Sequence, residues 1–214
     1  GLCALDSEAM PAHDARFAWI DDPSALLANY RVVAEHDAPQ VAWRPTVRLD
    51  VTARRPGRPS LELLVDAETH VVLREVFRDP SGEVRLTSTY GSIAYGDPES
   101  LPGDEAYAPL SGTSSAPVAA QSDFAALVAG HVPVGFAPVS CRDDAAGRVE
   151  HFSDGLSAYL VRQWPAADGA DESGTLTHSV QQGRRTFVGV LEGVGVEVTG
   201  YLGREDLEAV VRGL

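Results

Sequence analysis

Apolar and polar side chains alternate with a period of two through much of the first half of the chain. In the clearest stretch, from Val41 to Thr52, Val and Leu alternate with Arg, Asp and Thr. Earlier in the chain, Tyr30 and Val32 begin a similar pattern. Such alternation is typical of an antiparallel sheet with one packed face and one solvated face. We therefore predict a sheet with an apolar front and a polar back.

Short polar turns separate the strand-like segments of this region. Turn-forming residues occupy positions 36–39, 66–70 and 79–82, and each group lies between two apolar stretches. Strands joined in this way pair with their sequence neighbours, so we predict a curved meander. Three arginines at positions 54, 55 and 58 are interspersed with Pro and Gly. They favour a solvated turn, with an anion-binding tip as the other possibility.

The composition changes between residues 97 and 122, where Pro, Gly, Ser, Asp and Ala dominate. A segment of this kind is typical of a linker, so we predict one domain over residues 1–96 and a second over residues 123–214. The second half contains further strand candidates and ends in a helical pattern. The predicted fold class is therefore α+β and β-rich: a curved antiparallel sheet, then a smaller antiparallel sheet domain with a C-terminal helix.

Charge and residue usage argue against several functions. The chain has 31 acidic and 17 basic residues and a net charge of −14, so it repels nucleic-acid phosphates and anionic lipid headgroups. We therefore predict no nucleic-acid partner. All the basic residues are Arg, because the sequence contains no Lys. This excludes a Walker-type phosphate loop, a pyridoxal Schiff base and a lysine general base.

No catalytic or metal-binding motif stands out. The segment 151–155 contains the residue types of a hydrolytic triad, but residues this close in sequence favour a hairpin turn instead. The six histidines lack ligand spacing. We predict a protein that is not an enzyme and has no metal or cofactor. A hydrolase that uses Ser153 or Asp154 is the competing hypothesis. Cys3 and Cys141 are compatible with a disulfide or with free thiols.

Two groups of segments resemble one protein family. Residues 27–44 and 63–82 resemble the later strands of LolA/LolB-like lipoprotein-handling domains, in which a curved sheet wraps a helix and holds acyl chains. Residues 132–136, 152–157 and 200–207 resemble the C-terminal domain of the MucB/RseB family. Among the matching segments are Leu63-Leu64-Val65-Asp66-Ala67-Glu68, Val132-Pro133-Val134-Gly135-Phe136 and Gly200-Tyr201-Leu202-Gly203-Arg204.

The resemblance implies a periplasmic or otherwise extracytoplasmic regulator of an envelope-stress sigma factor. Members of the family bind the periplasmic part of a membrane anti-sigma factor and shield it from proteolysis, and they respond to lipoproteins or lipopolysaccharide. A periplasmic carrier of lipids or lipoproteins, with no sigma-factor role, is the alternative function.

This chain departs from the family pattern at two places. Trp43 stands where the family usually has Gly before Arg. Only 28 residues precede Asn29, where the family has several strands. We therefore expect a first sheet that is incomplete on its N-terminal side, either because the chain is a fragment or because another chain completes the sheet. An open apolar sheet of this kind also favours association, which leaves a homo-oligomer open.

The apolar front supplies the candidate binding residues. Each aliphatic side chain that becomes buried there contributes about 1.5–3 kcal/mol, which suits the binding of acyl chains or of an amphipathic peptide. An ordinary sealed core is the competing interpretation of each position. The candidates are Tyr30, Val32, Trp43, Val47, Leu49, Leu63 and Val65.

Overall fold

A computed structural model describes residues 23–93, 95, 126–144, 147–167 and 176–214. A short helix precedes a first group of five strands, and a second group of six strands is followed by a C-terminal helix. The elements are α1 (Pro23–Asn29), β1 (Tyr30–Val41), β2 (Arg44–Ala53), β3 (Ser60–Asp66), β4 (Val72–Arg78), β5 (Val84–Thr89), β6 (Ala137–Asp144), β7 (Gly147–Ser153), β8 (Ala158–Pro165), β9 (Thr177–Gln181), β10 (Arg184–Leu191), β11 (Val194–Gly200) and α2 (Arg204–Arg212). Two antiparallel sheets with flanking helices confirm the predicted β-rich α+β fold.

The first sheet is a meander in the order β1-β2-β3-β4-β5, as the short polar turns predicted. Its register places Val51 opposite Leu61 and Leu49 opposite Leu63. Because side chains alternate along a strand, these pairs lie on one face, which is the predicted apolar front. Helix α1 packs beside it through Leu26.

The alternating stretch from Val41 to Thr52 is not the one continuous strand that its pattern predicts, because a hairpin turn separates Val41 from the residues after Trp43. Strand β1 continues to Val41, Ala42 and Trp43 form the turn, and β2 begins at Arg44. The turn escaped prediction because neither central residue is the Gly or Asn that usually marks a tight hairpin.

The turn predicted at residues 36–39 is also wrong, because this segment lies within β1. Register shifts between Glu35 and Ala38, and between Ala38 and Val41, interrupt the pairing with β2. Such irregularities occur at sheet edges, where a strand can accommodate Pro39.

The second sheet has the order β6-β7-β8-β11-β10-β9. An antiparallel sheet followed by a C-terminal helix is the arrangement predicted for the second half of the chain. Strand β6 was not predicted, because Pro138 and the acidic pair at its end obscure its alternation. Helix α2 packs Leu207 and Val210 into a buried core with Val161 and Val196. The sequence at 122–128 predicts a short capped helix, but residues 126–128 are not helical and residues 122–125 lie outside the described ranges.

Candidate functional site

The structure brings together most of the residues predicted to line the front of the first sheet. Tyr30 and Leu63 belong to a buried hydrophobic cluster and are 0% and 4% exposed. Val32, Leu49 and Val65 pack against that cluster and are partly buried. Val47 is also partly buried and lies opposite Val65. Trp43 is the exception, because it lies in the hairpin turn and is 90% exposed.

Residues from elsewhere in the chain cover one end of this front. Leu26 of α1 and Leu156, from the turn between β7 and β8, belong to the same buried cluster. Tyr201 packs edge-to-face on Phe77, with ring centroids 5.4 Å apart. The covered end is therefore hydrophobic core, to which the second half of the chain contributes.

The remaining part of the front is half-exposed. We call Val32, Val47, Leu49 and Val65 the apolar strip. These four side chains lie on the same sheet face as the buried cluster. The apolar strip is the part of the predicted site whose side chains remain partly exposed.

A buried polar group joins the two halves of the chain next to the cover. The Asp154 carboxylate is 1% exposed and accepts a hydrogen bond from the Tyr30 hydroxyl, at 3.2 Å to Oδ1 and 3.0 Å to Oδ2. Arg58 Nε lies 3.4 Å from Asp154 Oδ2, and Arg58 Nη1 donates to Asp206 of α2. We call Tyr30, Arg58, Asp154 and Asp206 the junction cluster.

The turn between β7 and β8 fixes the orientation of Asp154. The backbone amides of Leu156 and Ser157 donate to Asp154 Oδ1 at 3.1 and 2.7 Å. Gly155 has a φ of +100°, and a Cβ at this position would lie 2.3 Å from the backbone nitrogen of Leu26. Only Gly therefore allows the turn to approach α1 this closely. The predicted turn is confirmed, and its second role at the junction was not visible from the sequence.

Hydrogen bonds to backbone carbonyl oxygens also connect the two halves of the chain at this junction. Asn29 Nδ2 lies within hydrogen-bonding distance of the Gly135 and Asp154 carbonyl oxygens, at 3.0 and 2.9 Å. The Gly203 amide donates to the Gly57 carbonyl at 2.7 Å. The two sheets are thus connected by packing, by an ion pair and by backbone hydrogen bonds.

Arg58 has a different environment from the one predicted for the arginine-rich turn. Its side chain is only 5% exposed, and its guanidinium carbon lies 4.7 Å from the centroid of the Phe136 ring. Arg54 and Arg55 are exposed, as expected for a solvated turn. The sequence could not distinguish the three arginines, because the partners of Arg58 lie in the other half of the chain.

Burial shifts the pKa of two members of the junction cluster, Asp154 and Tyr30. Desolvation raises the pKa of Asp154 above its usual range, while its hydrogen bonds and the Arg58 guanidinium oppose the rise. Burial and the adjacent Asp154 carboxylate also raise the pKa of Tyr30 well above its ordinary value. Tyr30 therefore stays neutral and acts as a hydrogen-bond donor, which is consistent with a structural role in connecting the two halves of the chain.

Ser153 and Asp154, the residues of the competing hydrolase hypothesis, both form hydrogen bonds within the turn. Ser153 Oγ donates to the Ser157 carbonyl at 3.2 Å and accepts from the Gly155 amide at 3.0 Å. Within the described ranges, no group of three or more His, Cys, Asp or Glu side chains could hold a metal ion. No helix in the described part of the chain is long and apolar enough to cross a membrane.

A second polar network lies where β3 ends, near the start of β2. Arg44 Nε donates to Asp66 Oδ2 at 2.7 Å, and the Tyr95 hydroxyl donates to the same oxygen at 3.0 Å. The amides of Glu68 and Thr69 donate to Asp66 Oδ1. These donors, Arg44 foremost, hold the pKa of Asp66 well below its usual range.

The lowered pKa of Asp66 predicts a contribution to stability that depends on pH. The unfolded chain binds a proton on this carboxyl near the ordinary Asp pKa of about 3.9, whereas the folded chain binds it only at lower pH. The stabilisation is therefore complete above about pH 5 and is lost progressively as the pH falls below that value. We expect Asp66→Asn to unfold more readily than wild type at pH 7, with the difference shrinking in acid. Thermal unfolding followed by circular dichroism measures both curves, with the exposed Asp37→Asn as control. A difference that is constant with pH would contradict the assignment.

Comparisons by sequence find no match: no family model matches the chain, and no curated protein matches it. Solved structures do resemble it. MucB in complex with MucA(peri) has a TM-score of 0.64 at 21% identity, over 89% of this chain and 68% of that chain. The Pseudomonas aeruginosa MucA/MucB complex has a TM-score of 0.62 at 21% identity, over 89% and 66%. MucB alone has a TM-score of 0.56 at 20% identity, over 90% and 65%.

The likeness extends over nearly the whole of this chain and over about two thirds of each MucB chain. It includes residues of both sheets, since neither sheet alone could account for the coverage. At this level of identity the comparison concerns architecture. The chain therefore has the MucB/RseB-like fold that its sequence motifs indicated.

Proposed function

We propose that this chain is an extracytoplasmic regulator that binds the periplasmic part of a membrane anti-sigma factor and has no enzymatic activity. The observation that carries the proposal is its likeness to MucB in complex with MucA(peri). The engagement of Ser153 and Asp154 in the turn and junction also favours a binding protein over a hydrolase. Cys141 is disulfide-bonded, and structural disulfides persist in oxidising compartments such as the periplasm.

The proposed domain organisation follows the sequence. We assign residues 1–96 to a LolA/LolB-like domain, residues 97–122 to a linker and residues 123–214 to a domain like the C-terminal domain of MucB/RseB. The two sheets support this division, because β1 to β5 end before the proposed linker and β6 to β11 begin after it.

The apolar strip is the proposed binding surface within the first domain. Its side chains are partly exposed, whereas Tyr30 and Leu63 lie in the buried cluster beside it. An amphipathic segment laid on the strip would remove apolar surface from water at about 25 cal/mol per Å². The edge strand β1 also offers backbone groups to a partner, because β2 is its only strand neighbour in the described part of the sheet.

A direct binding measurement tests the proposal. In a calorimetric titration with the periplasmic domain of the MucA-like anti-sigma factor from the same genome, we expect saturable binding by the wild-type chain. We expect Val32→Ser in the apolar strip to weaken binding about tenfold, a change of 1.4 kcal/mol. Val188→Ser is the matched control, because Val188 is 38% exposed on the second sheet. Absence of binding by the wild type would contradict the regulatory function.

The second candidate function is a lipid or lipoprotein carrier. The apolar strip supports it, because acyl chains bind to apolar surfaces of this kind. Native mass spectrometry before and after extraction with organic solvent separates the two functions. Stoichiometric lipid that disappears on extraction, with no binding of the anti-sigma domain, identifies a carrier. Binding of the anti-sigma domain that lipid displaces identifies a regulator with a lipid signal.

A further inference from the structure

Trp43 is the most exposed of the large hydrophobic side chains in the described residues. Its exposed fraction is 90%, while the next highest, Val128, is 77% exposed. It lies at the tip of the hairpin formed by β1 and β2, and it belongs neither to the apolar strip nor to the junction cluster. An indole of this size leaves a large apolar surface in water, and the chain gains almost nothing from packing it.

The backbone at this tip has a conformation that suits Gly better than Trp. Ala42 has a φ of 51° and Trp43 has a φ of 63°, both in the left-handed region. Residues with a Cβ adopt this region at an energetic cost, and a bulky residue there is uncommon. Trp43 is therefore unfavourable for the turn and unhelpful to the core. His70, Gln182 and Glu192 also have positive φ, but Trp43 is the one large apolar side chain among the described non-Gly residues in this region.

The strands on either side hold the tip in place. Thr46 Oγ1 donates to the Pro39 carbonyl at 2.7 Å, which ties β2 to β1. Arg44, which follows Trp43, binds the fully buried Asp66 through Nε and Glu68 through Nη2. A tip fixed at its base holds the backbone of Trp43 in a defined position. Less conformational entropy is then lost when the indole enters a binding pocket.

We propose that Trp43 is an anchor residue that inserts into an apolar pocket of a protein partner. Trp is among the residue types that contribute most to protein interfaces. The inference rests on the proposed function, so the partner is the periplasmic domain of the anti-sigma factor. A lipid surface is disfavoured, because the chain has a net charge of −14, which repels anionic headgroups.

Two glycine substitutions separate binding from folding. Trp43→Gly relieves the left-handed strain and removes the indole, whereas Ala42→Gly relieves the same kind of strain and retains the indole. We expect both variants to unfold at or above the wild-type temperature, because Gly adopts positive φ freely. In the calorimetric titration with the anti-sigma domain, we expect Trp43→Gly to lose at least tenfold in affinity. Ala42→Gly should remain within about threefold of wild type, since it keeps the contact.

Each other outcome overturns the inference. Wild-type affinity in Trp43→Gly would show that the indole makes no contact with the partner. A lower unfolding temperature in Trp43→Gly would show that the side chain has a structural role. Loss of association with vesicles of phosphatidylethanolamine and phosphatidylglycerol, with partner binding intact, would assign Trp43 to a membrane surface. If wild type itself does not bind the anti-sigma domain, the proposed function fails and this inference fails with it.

Discussion

Replacing Asp154 by Ala is expected to lower the free energy of unfolding by about 3–5 kcal/mol, the usual effect of removing one partner from a buried ion pair. Asp154 accepts hydrogen bonds from Tyr30 and from two backbone amides, and it lies beside the buried guanidinium of Arg58. The substitution leaves these donors without their acceptor in a site that water reaches poorly. Denaturant unfolding of the variant and of wild type at pH 7 measures the difference.

Graded substitutions in the junction cluster test the cause of this loss. Tyr30→Phe removes one hydroxyl and no charge, so we expect a loss of about 1–2 kcal/mol. Asp154→Asn keeps an acceptor for the two backbone amides but removes the charge beside Arg58, so its effect should lie between the other two. A loss of less than about 1 kcal/mol in Asp154→Ala would contradict a stabilising role for the junction cluster.

Replacing Leu156 by Ala is expected to lower the free energy of unfolding by about 2–5 kcal/mol, the range observed when a large buried aliphatic side chain is truncated. Leu156 is 2% exposed and belongs to the buried cluster of the first sheet, although it comes from the second half of the chain. The substitution therefore opens a cavity between the two halves. Leu27→Ala makes the same chemical change at a 56% exposed position of α1 and should stay within about 0.5 kcal/mol of wild type.

Hydrogen exchange of the Leu156→Ala variant tests whether Leu156 couples the two sheets. Because Leu156 packs with Leu26, Leu61 and Phe77, we expect the first sheet to lose hydrogen-exchange protection as well as the second. Protection lost only in β7 and β8 would show that Leu156 does not couple the sheets.

The strands of the first sheet were predictable because their signal is local. Alternation places Leu49 and Val51 on one face whatever the partner strand is, and short polar turns favour pairing between sequence neighbours. The hairpin turn at Ala42 and Trp43 was not predictable from the same signal. Its residues are atypical for left-handed turns, and the apolar alternation continues through them.

The junction cluster was beyond prediction because its members are far apart in the sequence. Tyr30 and Asp154 are separated by 124 positions, and neither lies in a sequence motif that would predict their contact. Asp154 was predicted as a turn residue, which is correct as far as local structure reaches. Trp43 did carry a signal, since it stands where the family that the sequence resembles usually has Gly. Its meaning became clear only when the left-handed backbone and the exposed indole were both known.

Amide hydrogen exchange, with and without the periplasmic domain of the anti-sigma factor, tests the central claim most directly. If the chain is a MucB-like binding protein, addition of that domain will slow exchange in β1 and β2, around the apolar strip and the hairpin tip. Exchange in the junction, already slow, will change little. Identical exchange throughout the chain at saturating partner concentration would contradict the account.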